Sequence, residues 1–207
     1  MTIEKIGNVY CIEGFGADSN SYLIGNTLID TGTGNNPNYL INELKLLDLT
    51  IDDIETIVNT HCHYDHVGGN QIFPNAKVAI GEFDAPALKD NSHETACSLF
   101  GENIKRRDVD ILLKENDNIE GFTVINTPGH SQGGISLWNG EILISGDTVF
   151  SNGGFGRTDF GGNMQELVKS LEKLSQLDAK YLLPGHGPWT INGKGHVQLA
   201  YNLAKGL

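Results

Sequence analysis

The amino-acid sequence predicts an α+β chain built as a four-layer αββα sandwich, and three observations lead there. Two segments, SYLIGNTLID and ISLWNGEILISGD, each spell a β-hairpin that ends in an aspartate. Each hairpin is followed by an amphipathic helix, and each helix returns through a short apolar strand to a histidine, His61 in one half and His186 in the other. A duplicated hairpin, helix and strand unit buries both of its apolar strand sets when two sheets pack face to face with helices on their outer faces. The repeat is too long for a solenoid, so residues 1–207 read as a single domain.

In chain order, strands are expected at residues 9–12, 21–23 and 27–30, the last two joined by Gly25 and Asn26, a pair suited to a hairpin turn. Pro37 reads as the first residue of a helix whose inner face is Leu40, Ile41, Leu44 and Leu47. Residues 54–58 form a short buried strand that runs straight into THCHYDHVGG. Between residues 70 and 110 no clear period emerges, and one strand, 78–80, stands out. Strand patterns return in FTVINTPGH and in the second hairpin, where Asn139 and Gly140 supply the turn. MQELVKSLEKLSQL then places Leu167, Leu171, Leu174 and Leu177 on one helical face, before the short strand of YLLPGHG and a helical pattern over 196–205.

Composition narrows the function. Glycine, at 26 residues, exceeds the usual ~7% while proline is only 6, which marks tight turns and close backbone approaches. Asp plus Glu number 26 against 14 Lys plus Arg, and a net charge of -12 repels nucleic acid and anionic membranes. Cys11, Cys62 and Cys97 are too few and too scattered for a disulfide framework. With no apolar leader and no apolar run approaching ~18 residues, a cytoplasmic protein with a small-molecule substrate is expected.

Seven histidines are present, and His61, His63 and His66 fall within six residues, with Asp65 among them. On an extended chain just past a strand, His61, His63 and Asp65 alternate to one side, and a turn into a helix at Asp65 swings His66 back toward them. Imidazole nitrogens with carboxylate oxygens suit zinc, iron or manganese, whereas calcium and magnesium take oxygen cages. Without an ion, such a polar cluster beside an apolar strand is costly to desolvate. Gly68 and Gly69 leave room for the helix start to pack closely against the strand end. The same alternation points Cys62 the opposite way, as a small buried filler. His93 and His196 read as ordinary surface or core histidines.

THCHYDHVGG resembles the HxHxDH signature of the metallo-β-lactamase superfamily, and further stretches follow in that family's order: LIDTG with Asp30, TPGH with His130, SGDTVF with Asp147 and PGHG with His186. TPGHSQGG, and GDTVF followed by GGFGRTDF, are most similar to the glyoxalase II-like branch, which also includes mononuclear iron persulfide dioxygenases. The resemblance implies the metallo-β-lactamase fold and two divalent metal ions, zinc foremost, with iron or manganese as alternatives. By matching positions it implies that His61, His63 and His130 bind one metal and Asp65, His66 and His186 the other. Asp147 would bridge both, Asp65 and Asp147 would be the catalytic carboxylates, and Asp30 would orient ligands by hydrogen bonding without touching metal. Such pairs acidify water for attack on a polarised carbonyl. The implied activity is hydrolysis of a small thioester, with an ester or lactone second.

A persulfide dioxygenase, holding one iron by two histidines and an aspartate, is the alternative, since it shares HxHxDH and GRTDF. A complete second ligand set favours the two-metal hydrolase. Glyoxalase II proper recognises glutathione largely through a C-terminal helical domain, where this sequence has about twenty residues after His186. Arg157, on the glycine-rich loop GFGRTD, is a candidate clamp for a substrate carboxylate or thiolate, with a structural ion pair or loop anchor as the other possibility. Gly153, Gly154 and Gly156 lack the strand, helix and acidic partner of a dinucleotide fingerprint, so no nucleotide cofactor is implied.

Overall fold

A computed structural model describes residues 3–90, 92–101 and 107–207. Among these, one sheet runs in chain order through β1 (Ile3–Ile6), β2 (Val9–Ile12), β3 (Ser21–Ile24), β4 (Thr27–Ile29), β5 (Thr56–Asn59), β6 (Lys77–Gly81) and β7 (Ile111–Leu113). Its first four strands are antiparallel neighbours, and β4 through β7 run parallel. The other sheet comprises β8 (Asn118–Ile119), β9 (Phe122–Asn126), β10 (Ile135–Trp138), β11 (Ile142–Gly146), β12 (Tyr181–Pro184) and β13 (Thr190–Ile191), ordered β13-β12-β11-β10-β9-β8. Here β11 and β12 are the parallel pair. The helices are α1 (Pro37–Lys45), α2 (Tyr64–Val67), α3 (Ala85–Asp90), α4 (Met164–Ser175) and α5 (Gly193–Ala204).

The strand period of two explains how these pieces become four layers. Neighbouring residues on one strand go to opposite faces: Ile29, Val58 and Ala79 point into the space between the sheets, while Leu28, Ile57 and Val78 pack with Leu40 and Leu44 of α1. Across the sandwich, Ile142, Ile144 and Leu183 face inward. Leu143 and Leu182 face out against Leu167, Leu171 and Leu174 of α4 and Val197 and Ala200 of α5. Both faces of the central strands are therefore apolar, and each outer face is closed by helices. This is the four-layer αββα sandwich expected from the sequence. No helix among the described residues is long and apolar enough to cross a membrane.

The duplication is visible as β3-β4-α1-β5 and β10-β11-α4-β12, each ending in a strand parallel to the second strand of its hairpin. The departures from expectation are local. Helix α1 stops at Lys45, so Leu47 lies beyond it, although it still packs against the same apolar cluster. Leu177 likewise follows the end of α4 but remains in the cluster beneath it. Helix α5 begins at Gly193, three residues before the expected start, behind Asn192 in a left-handed conformation with φ 59°. The chain before His61 pairs as a strand over β5 from Thr56 rather than from Ile54. Strands β1, β7, β8 and β13 carry no sequence signal strong enough to read. Of the poorly patterned stretch 70–110, residue 91 and residues 102–106 lie outside the described residues.

Candidate metal centre

The chemistry-bearing residues sit where strands end. Asp30 follows β4, His61 and His63 lie just past β5, and Asp65 and His66 are on α2. His130 lies in the loop after β9, Asp147 directly after β11 and His186 just past β12. The open ends of strands in such sheets are where side chains from different segments converge. Three groups of donors form here, each with its donor atoms within 4.8 Å of one another: His61, His63 and His130; His61, His66 and Asp147; and Asp65, His66 and His186. All seven residues expected from the sequence meet at one edge. Cys62 faces away into an apolar cluster with Tyr64, Val67, Ile80 and Leu88. Gly68 and Gly69 do permit close packing, but against the turn after β4: a Cβ on either would lie about 2 Å from the Thr33 or Thr31 carbonyl oxygen (2.2 and 2.1 Å).

Hydrogen bonds fix which face each ring presents. Asp30 is 1% exposed and holds a left-handed φ of 57°, which aspartate tolerates better than most residues. Its Oδ1 accepts from the Thr60 N–H at 2.8 Å, and its Oδ2 accepts from the Thr60 hydroxyl at 2.7 Å and from His66 Nδ1 at 2.8 Å. With its proton given to Asp30, the Thr60 oxygen faces His61 Nδ1 at 3.1 Å as an acceptor. His130 Nδ1 donates to the Arg157 carbonyl at 2.6 Å. The Nδ1 atoms of three rings are thus committed outward as donors, and Nε2 is the atom that each turns inward, as metal-binding imidazoles require.

Inward, the atoms crowd. His61 Nε2 lies 3.2 Å from His130 Nε2, and His66 Nε2 lies 3.3 Å from His186 Nε2. Asp147 sits between them, with Oδ1 at 3.3 Å from His66 Nε2 and Oδ2 at 3.4 and 3.6 Å from the Nε2 atoms of His130 and His186. Asp147 Oδ1 is buried and makes no hydrogen bond. Burial drives His61 well below its usual range, helped by the neighbouring rings of His66 and His130. Burial likewise drops His63 to about 3, with His130 adding to the fall. Burial also opposes charge on His66 and His186, but the carboxylates win: Asp147, Asp30 and Asp65 lift His66, and Asp65 and Asp147 lift His186. Asp65 and Asp147 are in turn held below the usual carboxylate range by these histidines, against the opposing effect of burial. Ring nitrogens crowded on one another around a buried carboxylate oxygen that makes no hydrogen bond are what a divalent cation resolves, so the donor set fits the metals its chemistry suggests.

Over the cluster opens a cleft of about 280 Å³, with His63, Asp65, His130, Asp147 and His186 as its floor. The rest of its lining is mainly apolar: Ala96, Leu99, Phe100, Phe150 and Phe160. Arg157 lines the rim, but its guanidinium is paired with both oxygens of Asp159 and lies 5.0 Å from the Phe160 ring centre. His93 stacks on Phe160 at 5.1 Å, and His196 accepts from the Asn152 N–H at 2.8 Å, so neither joins the donor groups.

Two supporting residues escaped sequence reasoning. Asn20 donates to the carbonyls of Pro184 and Gly187, at 3.0 and 2.9 Å, and so clasps the turn that carries His186. Asp84 joins the His61 and His130 segments. Asn20 has no motif around it. Asp84 stands before Ala85 and Pro86, a spelling that reads as a helix N-cap and hides its longer reach.

Comparisons with known proteins place the fold in a family. A probable metallo-hydrolase of Methanocaldococcus jannaschii is 36% identical over 190 residues, covering 85% of this chain and 91% of that protein. The crystal structure of BLEG-1, a B3 metallo-β-lactamase, superposes with a TM-score of 0.76 at 30% identity, covering 90% of this chain and 95% of the other. A protein crystallised in a di-iron-bound form gives a TM-score of 0.74 at 26% identity, covering 93% and 96%. The model of the metallo-β-lactamase superfamily matches residues 14–186, and with a match of that extent the chain belongs to the metallo-β-lactamase superfamily.

Proposed function

We propose that the chain is a dinuclear metal-dependent hydrolase of a small thioester, of the glyoxalase II-like kind, with esters or lactones as second substrates. The observation that carries this is Asp147, whose buried oxygens lie between a group of three histidines and a group formed by Asp65, His66 and His186. On this reading His61, His63 and His130 hold one ion, Asp65, His66 and His186 the other, and Asp147 is shared. Divalent ions held there would supply Lewis-acid polarisation of a carbonyl and lower the pKa of water. Asp30 fixes the His66 ring directly and His61 through Thr60, and the Arg157 carbonyl fixes His130. Phe150, Phe160, Leu99 and Phe100 give the cleft above these residues an apolar lining, which suits an apolar part of a substrate. The Asp159 pair takes up Nε and Nη2 of Arg157, so a substrate carboxylate would be met by Nη1.

Reconstitution of the metal-free chain with zinc, iron or manganese, followed by a thioester, ester and lactone panel, tests the proposal. About two ions per chain and hydrolysis without oxygen uptake are expected. One iron per chain with oxygen uptake on glutathione persulfide would replace the hydrolase by the dioxygenase.

A further inference from the structure

Asp84 follows β6, is 2% exposed, and belongs to none of the donor groups. Its carboxylate nevertheless takes hydrogen bonds from both segments that supply the three-histidine group. Oδ2 accepts from the Cys62 N–H at 2.9 Å and from the Ser131 hydroxyl at 2.7 Å, and Oδ1 accepts from the Gly133 N–H at 2.5 Å. Cys62 stands between His61 and His63, and Ser131 immediately follows His130. The approach is built in at the backbone as well: a Cβ on Gly133 would fall 2.2 Å from Asp84 N and 2.8 Å from Asp84 Oδ1. None of these bonds reaches α2 or the turn that carries His186.

We propose that Asp84 is a positioning residue that sets the spacing between the His61–His63 segment and the His130 segment, and so tunes the three-histidine half of the centre while leaving the other half alone. A buried carboxylate with three donors is a stiff link, because charge-assisted hydrogen bonds gain strength in a low-dielectric interior. The His61 and His130 nitrogens face each other across 3.2 Å, and metal–nitrogen bonds tolerate little departure from ~2.0–2.1 Å, so small movements of either segment are felt. The inference rests on the metal reading above and is tested separately from it.

The experiment is a cobalt(II) titration of the full metal-free chain, followed by its visible absorption. In Asp84→Asn an N–H2 group must face at least one of the three donors. One of two cobalt sites should weaken by about 10–100-fold, the usual cost of losing a group that orients a ligand. The bands that remain at limiting cobalt should match those of His130→Ala, not those of His186→Ala. Ser131→Ala deletes a single hydroxyl and should weaken the same site by about tenfold; it decides the matter if Asp84→Asn does not fold. Equal weakening of both sites, or a change below about threefold in both variants, overturns the positioning role while leaving two-metal binding by the parent intact. A parent chain that binds no cobalt would overturn both.

Discussion

Asp30→Asn removes one negative charge at the end of β4 and keeps a side chain that tolerates a φ of 57°. The native carboxylate receives three donors: the Thr60 N–H at 2.8 Å, the Thr60 hydroxyl at 2.7 Å and His66 Nδ1 at 2.8 Å. An asparagine carbonyl can serve one side of that set, and its N–H2 then faces a donor on the other. In either orientation the N–H2 faces a buried N–H, that of Thr60 or that of His66 Nδ1, so at least one buried donor is orphaned, at about 1–3 kcal/mol. Asp30→Ala orphans both the Thr60 N–H and His66 Nδ1, about 2–6 kcal/mol, and adds about 1–2 kcal/mol for alanine in a left-handed conformation. With His66 no longer oriented, metal affinity at the Asp65, His66 and His186 group should fall by about 10–100-fold in either variant. Urea unfolding of the metal-free proteins measures the first effect, and competition titration with a chromophoric chelator the second. If Asp30→Asn stays within about 0.5 kcal/mol, the range of ordinary surface changes, and binds metal as the parent does, Asp30 does not hold His66 in place.

Three further outcomes follow from the same contacts. In Gly185→Ala the new Cβ would lie 2.0 Å from Asp147 Oδ1 and 2.7 Å from His66 Cε1, so metal content should drop below one ion per chain, whereas Gly187→Ala, with nothing within 4 Å of its Cβ and only the strain of a left-handed φ of 75°, about 1–2 kcal/mol, should keep more of its metal; equal content in the two would refute the crowding. Leu171→Ala, at a fully buried position beneath α4, should cost about 2–5 kcal/mol, which at about 2–4 °C per kcal/mol lowers Tm by roughly 4–20 °C in calorimetry. Burial pushes the Cys11 thiol up to about 12 and the Cys62 thiol well above its usual range, so a native chain at pH 8 should be alkylated at no more than Cys97, with all three reacting in denaturant. For Cys11 the native state holds a proton that the unfolded chain gives up from about pH 9, so its contribution to stability should fall as pH rises from 9 toward 12.

How much of the fold is legible depends on how each segment earns its burial. The units β3-β4-α1-β5 and β10-β11-α4-β12 could be read because their apolar residues repeat with a strand or helix period and their turns are spelled by Gly25–Asn26 and Asn139–Gly140. The unread strands β1, β7, β8 and β13 are short and lie at or beside sheet edges, where one neighbour suffices and few positions must be apolar: β1 buries Ile6 alone. Helix ends misled for a related reason. Leu47 and Leu177 continue the apolar spacing of α1 and α4, yet the chain has already turned, since burial constrains where a side chain goes and not the backbone path that brings it there.

Legibility at the centre follows chemistry rather than importance. His61, His63, Asp65 and His66 are conspicuous because no core has a use for four such groups together, and that peculiarity survives in a one-dimensional string. Asp84 and Asn20 touch the same loops largely through backbone N–H and carbonyl groups, which every residue possesses, so the partners leave no trace in the sequence. Asp30 falls between: its place after a hairpin is readable, while its reach to His66 depends on a left-handed turn that aspartate does not advertise. On the proposed two-metal reading the centre is spelled by its ligands and held by residues that become visible once the loops are folded, and those residues are where substitutions that spare every ligand should still empty one half of the site.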